Sequence, residues 1–367
     1  MEKPLLMIPG PCALEREVCE AMSWQPVPHY GREWVEEFNR VRESLKPLFG
    51  TTEGKIYITV GSGHAGIEAG INAIAAEGDR LLVVNNGFFG ERIVWIARNY
   101  GIEVVELRSE WGEPVDPEAV RDALDRDPMI KALAVVHGET STGVLNPIKE
   151  IGKIACEREV LLFVDAICSV GGTEFLMDEW GVDLCVAASQ KGLSAPAGLV
   201  ILAVRQKVWD NLKKRKKRPV GWYLNVEVWR HFEESQGDFQ PYGITMAVNN
   251  VRALQVSLDQ MYREGLENRF RRHHEISRYI RDGLASLGLE LFARGEPLPL
   301  VTVSKCPQGI EAEKLVTLLR KRYDIYITGG LGPYKEKTFR VGHMGPLAVP
   351  EVADYFLAAL KDCLQQL

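Results

Sequence analysis

No stretch of this 367-residue sequence approaches the roughly 20 consecutive apolar residues that a membrane-crossing helix needs. Cysteine is sparse, with seven residues at 12, 19, 156, 168, 185, 306 and 363, no CxxC pair and an odd total. That pattern excludes a paired zinc framework and a disulfide-stapled domain. It fits free thiols in a reducing compartment, so the cytoplasm is the expected location. A basic surplus is also missing: 44 Lys and Arg face 50 Asp and Glu, for a net charge of −6. Generic nucleic-acid binding relies on the opposite balance. Met1-Glu2-Lys3-Pro4 has no signal-peptide pattern, and the closing Gln-Gln-Leu matches no address signal. There is neither an internal repeat nor a low-complexity segment.

Hydrophobic residues make up 46% of the chain, ample for a core, and the length predicts one large and one smaller domain. From about residue 55, short β-branched runs alternate with amphipathic stretches. Seven strands are predicted: Ile56–Val60, Leu81–Val84, Val104–Leu107, Ala132–Val136, Leu161–Val164, Cys185–Ala187 and Leu199–Val204. Their nearly continuous apolar character suits a mainly parallel sheet covered on both faces. Helices are predicted over Ile67–Ala76, Glu91–Asn99, Glu118–Leu124 and Ile148–Glu157, and Asp116-Pro117 marks one helix start. The pattern is that of an α/β domain.

Beyond about residue 262 a long charged helix (Leu266–Leu287) precedes short strands near Leu289–Phe292, Leu300–Ser304 and Tyr326–Thr328. Helices at Glu311–Arg322 and Pro350–Leu364 accompany them. The predicted organisation is an N-terminal arm over 1–15, a large domain over 16–262 and a small C-terminal α+β domain over 263–367. The basic run from Lys213 to Arg218 reads either as a nucleic-acid or nuclear-localisation segment or as a solvated helix end. The neighbouring Trp209, Leu212 and Trp222 favour the second reading.

Gly61-Ser62-Gly63-His64-Ala65-Gly66 follows a strand and opens a helix, satisfying GxGxxG in the setting of a dinucleotide-binding (Rossmann) module. Such a loop aims backbone N–H groups at a phosphate. The next strand, however, ends in Asn85-Asn86, where a dinucleotide site wants an acidic residue for the ribose. Phosphate binding survives that objection better than a dinucleotide does, and a glycine turn used only for packing remains open.

Two further residues bear on the ligand. Asp165 ends an apolar strand, where it reaches the crevice at the sheet's carboxyl edge or simply caps the strand. Lys191, in Ala188-Ser189-Gln190-Lys191-Gly192, lies among small residues just after another strand, an unusual place for a lysine. Together with the loop they fit pyridoxal 5′-phosphate: a lysine for the aldimine, an aspartate for the ring nitrogen and a helix N-terminus for the phosphate. Phe89 either stacks on the ring or packs in the core.

These residues resemble class V, fold-type I aminotransferases of the alanine–glyoxylate and serine–pyruvate (or serine–glyoxylate) branch. The resemblance runs through Ile8-Pro9-Gly10-Pro11, Gly61-Ser62-Gly63-His64, Asn86-Gly87-Phe88-Phe89-Gly90-Glu91-Arg92 and His137-Gly138-Glu139-Thr140-Ser141-Thr142-Gly143. It continues in Val164-Asp165-Ala166, Ser189-Gln190-Lys191-Gly192 and Phe339-Arg340-Val341-Gly342, in the family's order and over nearly the whole chain. It implies a fold-type I architecture with a seven-stranded, mainly parallel sheet, and Lys191 as the catalytic residue. It also implies cofactor contacts from Ser62, Gly63, His64, Phe89, Thr140, Asp165 and Gln190, and a substrate carboxylate held by Arg340. Tyr242 and Thr245 match residues that reach the phosphate of a neighbouring subunit, which implies a homodimer with shared active sites. Pro28-His29-Tyr30-Gly31-Arg32-Glu33-Trp34 departs from the family's His-Arg-Ser-like segment and puts donor preference in doubt.

The implied reaction is ping-pong transamination between alanine, serine or glycine and glyoxylate or pyruvate, by way of an internal aldimine. One carboxylate-binding arginine in a short pocket suits these better than dicarboxylic acids. A lyase or desulfurase on the same fold would need a loop cysteine, for which Cys306 is the candidate. A pyridoxamine–pyruvate aminotransferase would take the cofactor unphosphorylated, and the retained Ser62, Gly63, His64 and Gln190 argue against it.

Overall fold

The computed structural model describes residues 4–367. Its central sheet has seven strands: β1 (Lys55–Val60), β2 (Arg80–Asn85), β3 (Glu103–Arg108), β4 (Ile130–Val136), β5 (Leu161–Asp165), β6 (Leu184–Ala188) and β7 (Leu199–Val204). Every strand expected there is present, lengthened by at most two residues at an end. The order is β1-β7-β6-β5-β4-β2-β3. Only β7 runs against its neighbours, β6 and β1; the other pairs are parallel.

Alternate residues of each strand feed two separate cores, as the two-residue side-chain period requires. In β5, Leu162 and Val164 face one and Leu161 and Phe163 the other. The edge strand β3 is the least buried and carries Glu103, Glu106 and Arg108, charges that discourage edge-to-edge pairing. Because β1, β2, β4, β5 and β6 point the same way, their carboxyl ends share one rim of the sheet. That rim is where open α/β sheets bind ligands.

The smaller C-terminal α+β domain is built on an antiparallel sheet of β8 (Val301–Lys305), β9 (Thr328–Gly329) and β10 (Thr338–Gly342), in the order β8-β10-β9. Helices Leu266–Ser286, Ala312–Tyr323 and Pro350–Leu364 accompany it. Phe339, Val341, Ile280 and Phe356 belong to its core, joined by Leu5 and Met7 from the N-terminal segment.

Two expectations fail here, and one strand has no counterpart in the sequence reading: the central strand β10, whose apolar run Arg340 interrupts. Leu289–Phe292 forms a single bridge, Leu291 to Ser304, in place of a strand. Tyr326–Thr328 divides in two: Ile325–Tyr326 pairs in parallel with Leu5–Leu6, and Thr328–Gly329 joins the small sheet. The N-terminal segment thus stays out of the main sheet but is docked, with Gly342 N–H donating to Met7 O at 2.8 Å and Cys12 N–H to Gln190 O at 2.9 Å.

The basic run closes the helix Gln206–Lys214. Arg215 donates to the carbonyls of Asn72 and Ala73, Lys217 pairs with Glu77 at 3.0 Å, and Arg218 pairs with Glu227. Those local bonds engage three of its six basic residues. Among the described residues, no helix is long and apolar enough to cross a membrane, and no His, Cys, Asp or Glu group is arranged to hold a metal.

Candidate active site

Lys191 sits in a tight turn immediately after β6. Ser194 N–H closes the turn on Lys191 O at 2.9 Å, and Ala195 N–H bonds Ser189 O at 2.9 Å. Buried Arg269 clamps it, donating to Gly171 O at 2.7 Å, Gly192 O at 3.0 Å and Ser194 Oγ at 2.9 Å. Gly192 is required at this point, since a Cβ would lie 2.3 Å from Val170 O. The lysine side chain passes over Gly10, whose Cβ would fall 2.5 to 2.7 Å from its Cδ, Cε and Nζ. Nζ donates to Pro9 O. Although the side chain opens onto a cavity, its amine lies among protein atoms. Desolvation lowers its pKa, and the positive charge of Arg340 adds to the effect.

That cavity, of about 290 Å³, is lined by all eight predicted cofactor residues of this chain: Ser62, Gly63, His64, Phe89, Thr140, Asp165, Gln190 and Lys191. They come from the carboxyl ends of β1, β2, β4, β5 and β6. Asp165 is buried, accepts from Ile167 N–H at 3.0 Å, and has its pKa pushed up to about 7, chiefly by burial. Ser62 begins the helix Gly63–Ile74 with no side chain capping it, which leaves an electropositive helix start at the cavity. A Cβ on Gly63 would meet Ile167 Cδ1 at 2.6 Å, so glycine permits the close approach of this helix to the loop after β5. The Gln190 side-chain oxygen is buried without a hydrogen-bond partner.

Glu139, for which the sequence motifs assign no role, is central to the site. It is fully buried in the short hairpin after β4. One carboxylate oxygen accepts from Ser141 N–H at 3.0 Å and Ser141 Oγ at 2.6 Å. The other accepts from Phe89 N–H at 3.0 Å and Gly90 N–H at 3.2 Å. The carboxylate therefore caps the helix Phe88–Asn99 and fixes Phe89 at the cavity. Burial raises its pKa, against the pull of these donors. The available sequence signal is an acidic residue three positions after the end of a buried strand.

Arg340 lies on β10, 8% exposed, and its Nε donates to Gly329 O at 2.9 Å. Burial lowers its pKa to about 10, which still leaves a cation at neutral pH. It lines an adjoining cavity of about 540 Å³, which Lys191, His64 and Phe89 also line.

Cys306 lines neither cavity and its thiol is pushed up to about 11 by burial. The thiol that does line the first cavity is Cys168; its pKa is pushed up to about 12 by burial, so it stays protonated. Tyr242 and Thr245 lie away from both cavities of their own chain. Trp34 Nε1 donates to Tyr242 Oη at 2.5 Å, which donates to His29 O at 2.5 Å. The atypical 28–34 segment therefore holds Tyr242. Asn85 and Asn86 are engaged in packing, with Glu106 at 2.6 Å and with Asn146 at 2.9 Å.

Residues 17–334 match the family described as Aminotransferase class-V. An uncharacterized aminotransferase of Methanocaldococcus jannaschii is 40% identical over 351 residues, covering 95% of this chain and 90% of that protein. Among solved structures, an alanine–glyoxylate aminotransferase from Nostoc sp. superposes with a TM-score of 0.94 at 31% identity, covering 99% of this chain and 96% of the other. A ureidoglycine–glyoxylate aminotransferase from Bacillus subtilis gives 0.92 at 31% identity, covering 100% and 94%. With a fold-type I sheet and a lysine, an aspartate and an arginine converging on adjoining cavities, this chain belongs to the class-V aminotransferase family.

Proposed function

We propose that this chain transfers an amino group between alanine, serine or glycine and glyoxylate or pyruvate, with pyridoxal 5′-phosphate bound covalently through Lys191. The observation that carries the reading is the convergence of Lys191, Asp165 and Arg340, from three separate elements, on two adjoining cavities. Glyoxylate as acceptor is further supported by the names of the Nostoc and Bacillus relatives.

The cavity residues fit the cofactor. Burial by itself favours the neutral form of Asp165, and the positive charge of a protonated ring nitrogen beside it would favour the carboxylate, so that the two would form an ion pair. Ser62, Gly63, His64 and Gln190 would take the phosphate at an uncapped helix start, which supports a phosphorylated cofactor over an unphosphorylated pyridoxamine substrate. Phe89 would cover the ring face and Thr140 its hydroxyl side. When bound, the cofactor supplies an electron sink for charge developing at the substrate Cα. The protein's part is to orient and to move protons. Arg340 receives the substrate carboxylate through its guanidinium fork. Lys191, whose pKa desolvation lowers, would take the Cα proton in its neutral form once its amine is free.

A homodimer completes this reading. Tyr242 and Thr245 would serve the partner subunit's site, and an exposed aromatic patch adjoins them. Tyr30 and Phe239 pack with ring centroids 5.4 Å apart and are 47% and 55% exposed, while Trp222 borders Gly243. Patches of this kind mark association surfaces. Seven free cysteines support a reducing, cytoplasmic setting.

The test is a half-reaction screen. Holoenzyme titrated with L-alanine, L-serine or glycine, without acceptor, should convert to the pyridoxamine form and return on adding glyoxylate. Release of pyruvate and ammonia from serine would make it a lyase, and a colourless protein that binds NAD would overturn the reading altogether.

A further inference from the structure

The larger cavity is lined by two arginines, where the sequence led us to expect one. Arg340 comes from β10, and Arg92 from the helix that also presents Phe89. The Arg92 guanidinium carbon lies 4.7 Å from the centroid of the Phe88 ring and 5.1 Å from that of Trp95. These contacts engage its faces and leave its N–H edges available. Among the described residues Arg92 has no carboxylate partner. Arg98 on the same helix, by contrast, pairs with Glu106 at 3.4 Å.

An aromatic-braced, unpaired guanidinium in a substrate cavity is a preformed anion site, because its fork suits carboxylate and phosphate alike. His64, half-buried and lining the same cavity, has its pKa lowered by desolvation and by the Arg92 charge itself, so it stays neutral. With Arg340 assigned to the α-carboxylate and Lys191 to Cα, Arg92 is left facing the remainder of the substrate.

We propose that Arg92 binds the distal anionic group of substrates whose side chain ends in a carboxylate or phosphate, so that acidic amino acids and their 2-oxo acids belong to this enzyme's substrate range. This rests on the aminotransferase reading above and replaces the single-arginine expectation of small neutral substrates alone.

The test compares half-reactions of wild-type, Arg92→Gln and Arg92→Lys holoenzymes. The probes are L-alanine and L-serine, then L-aspartate and L-glutamate for a carboxylate, and O-phospho-L-serine for a phosphate. Wild type should convert at least one acidic probe. Its kcat/KM relative to alanine should fall about ten- to a hundred-fold in Arg92→Gln, the range for losing a charged hydrogen bond, and mainly through KM. Arg92→Lys, which keeps the charge without the fork, should fall between the two. The better acidic probe identifies carboxylate or phosphate as the group read. Conversion of alanine or serine with no acidic probe accepted, or an unchanged ratio in Arg92→Gln, would overturn the Arg92 assignment and leave the aminotransferase reading standing. Failure of every probe would overturn that reading, and the proposal with it.

Discussion

Glu139 Oε2 accepts the backbone N–H of Phe89 at 3.0 Å, so a buried carboxylate on one loop sets the position of an aromatic ring on another. The same oxygen takes Gly90 N–H, while its twin takes two donors from Ser141. Replacing Glu139 by Gln turns one of those oxygens into an NH₂ that faces donors. Urea unfolding should report a loss of about 1–3 kcal/mol, the cost of leaving buried donors unpaired. Equilibrium dialysis should show weaker cofactor retention. Wild-type retention in Glu139→Gln would mean that Phe89 is positioned by something else.

Asp165 makes the apoenzyme's stability depend on pH. Its folded pKa, about 7, lies above the value of an exposed aspartate, so its contribution is fully present below about pH 4 and is lost as pH rises through 7. Asp165→Asn does not titrate. The stability of the apo variant relative to wild type should therefore climb between pH 4 and 8, by up to roughly 4 kcal/mol in denaturant titrations. A difference that is flat over that interval would contradict the burial argument.

Arg340→Ala should raise KM for the amino donor about ten- to a hundred-fold, the range for a charged hydrogen bond. The visible cofactor band should persist, because the cavity that Asp165 lines does not include Arg340. Loss of the band would contradict the assignment of Arg340 to substrate.

Arg269 holds the Lys191 turn through Gly171 O, Gly192 O and Ser194 Oγ. Arg269→Met strands those acceptors and leaves Glu264 without one of its two arginines. A destabilisation of about 3–5 kcal/mol is expected, as for breaking a buried charged pair. Thermal unfolding of the holoenzyme measures it, and a variant as stable as wild type would remove the clamp from the account.

The sequence made the main sheet legible because its strands are apolar on both faces, so periodicity alone exposed them. Lys191 and Asp165 could be found for the same reason: each is a charge at the end of such a strand. What stayed hidden lacked that contrast. β10 carries Arg340 in the middle of its five residues, and Leu5–Leu6 gains its strand character only from Ile325–Tyr326, far along the chain. Glu139 and Arg92 both stood inside recognised motifs. Their roles depend on which element the chain brings beside them, the Phe89 helix for one and β10 for the other, and no local pattern records that.

The central claim, that Lys191 carries the cofactor, is tested most directly by borohydride reduction of the holoenzyme followed by peptide mapping. The account predicts loss of the visible band and a phosphopyridoxyl mass increment on the peptide containing Lys191, absent from Lys191→Ala. An increment on another lysine, or none on any, would contradict it.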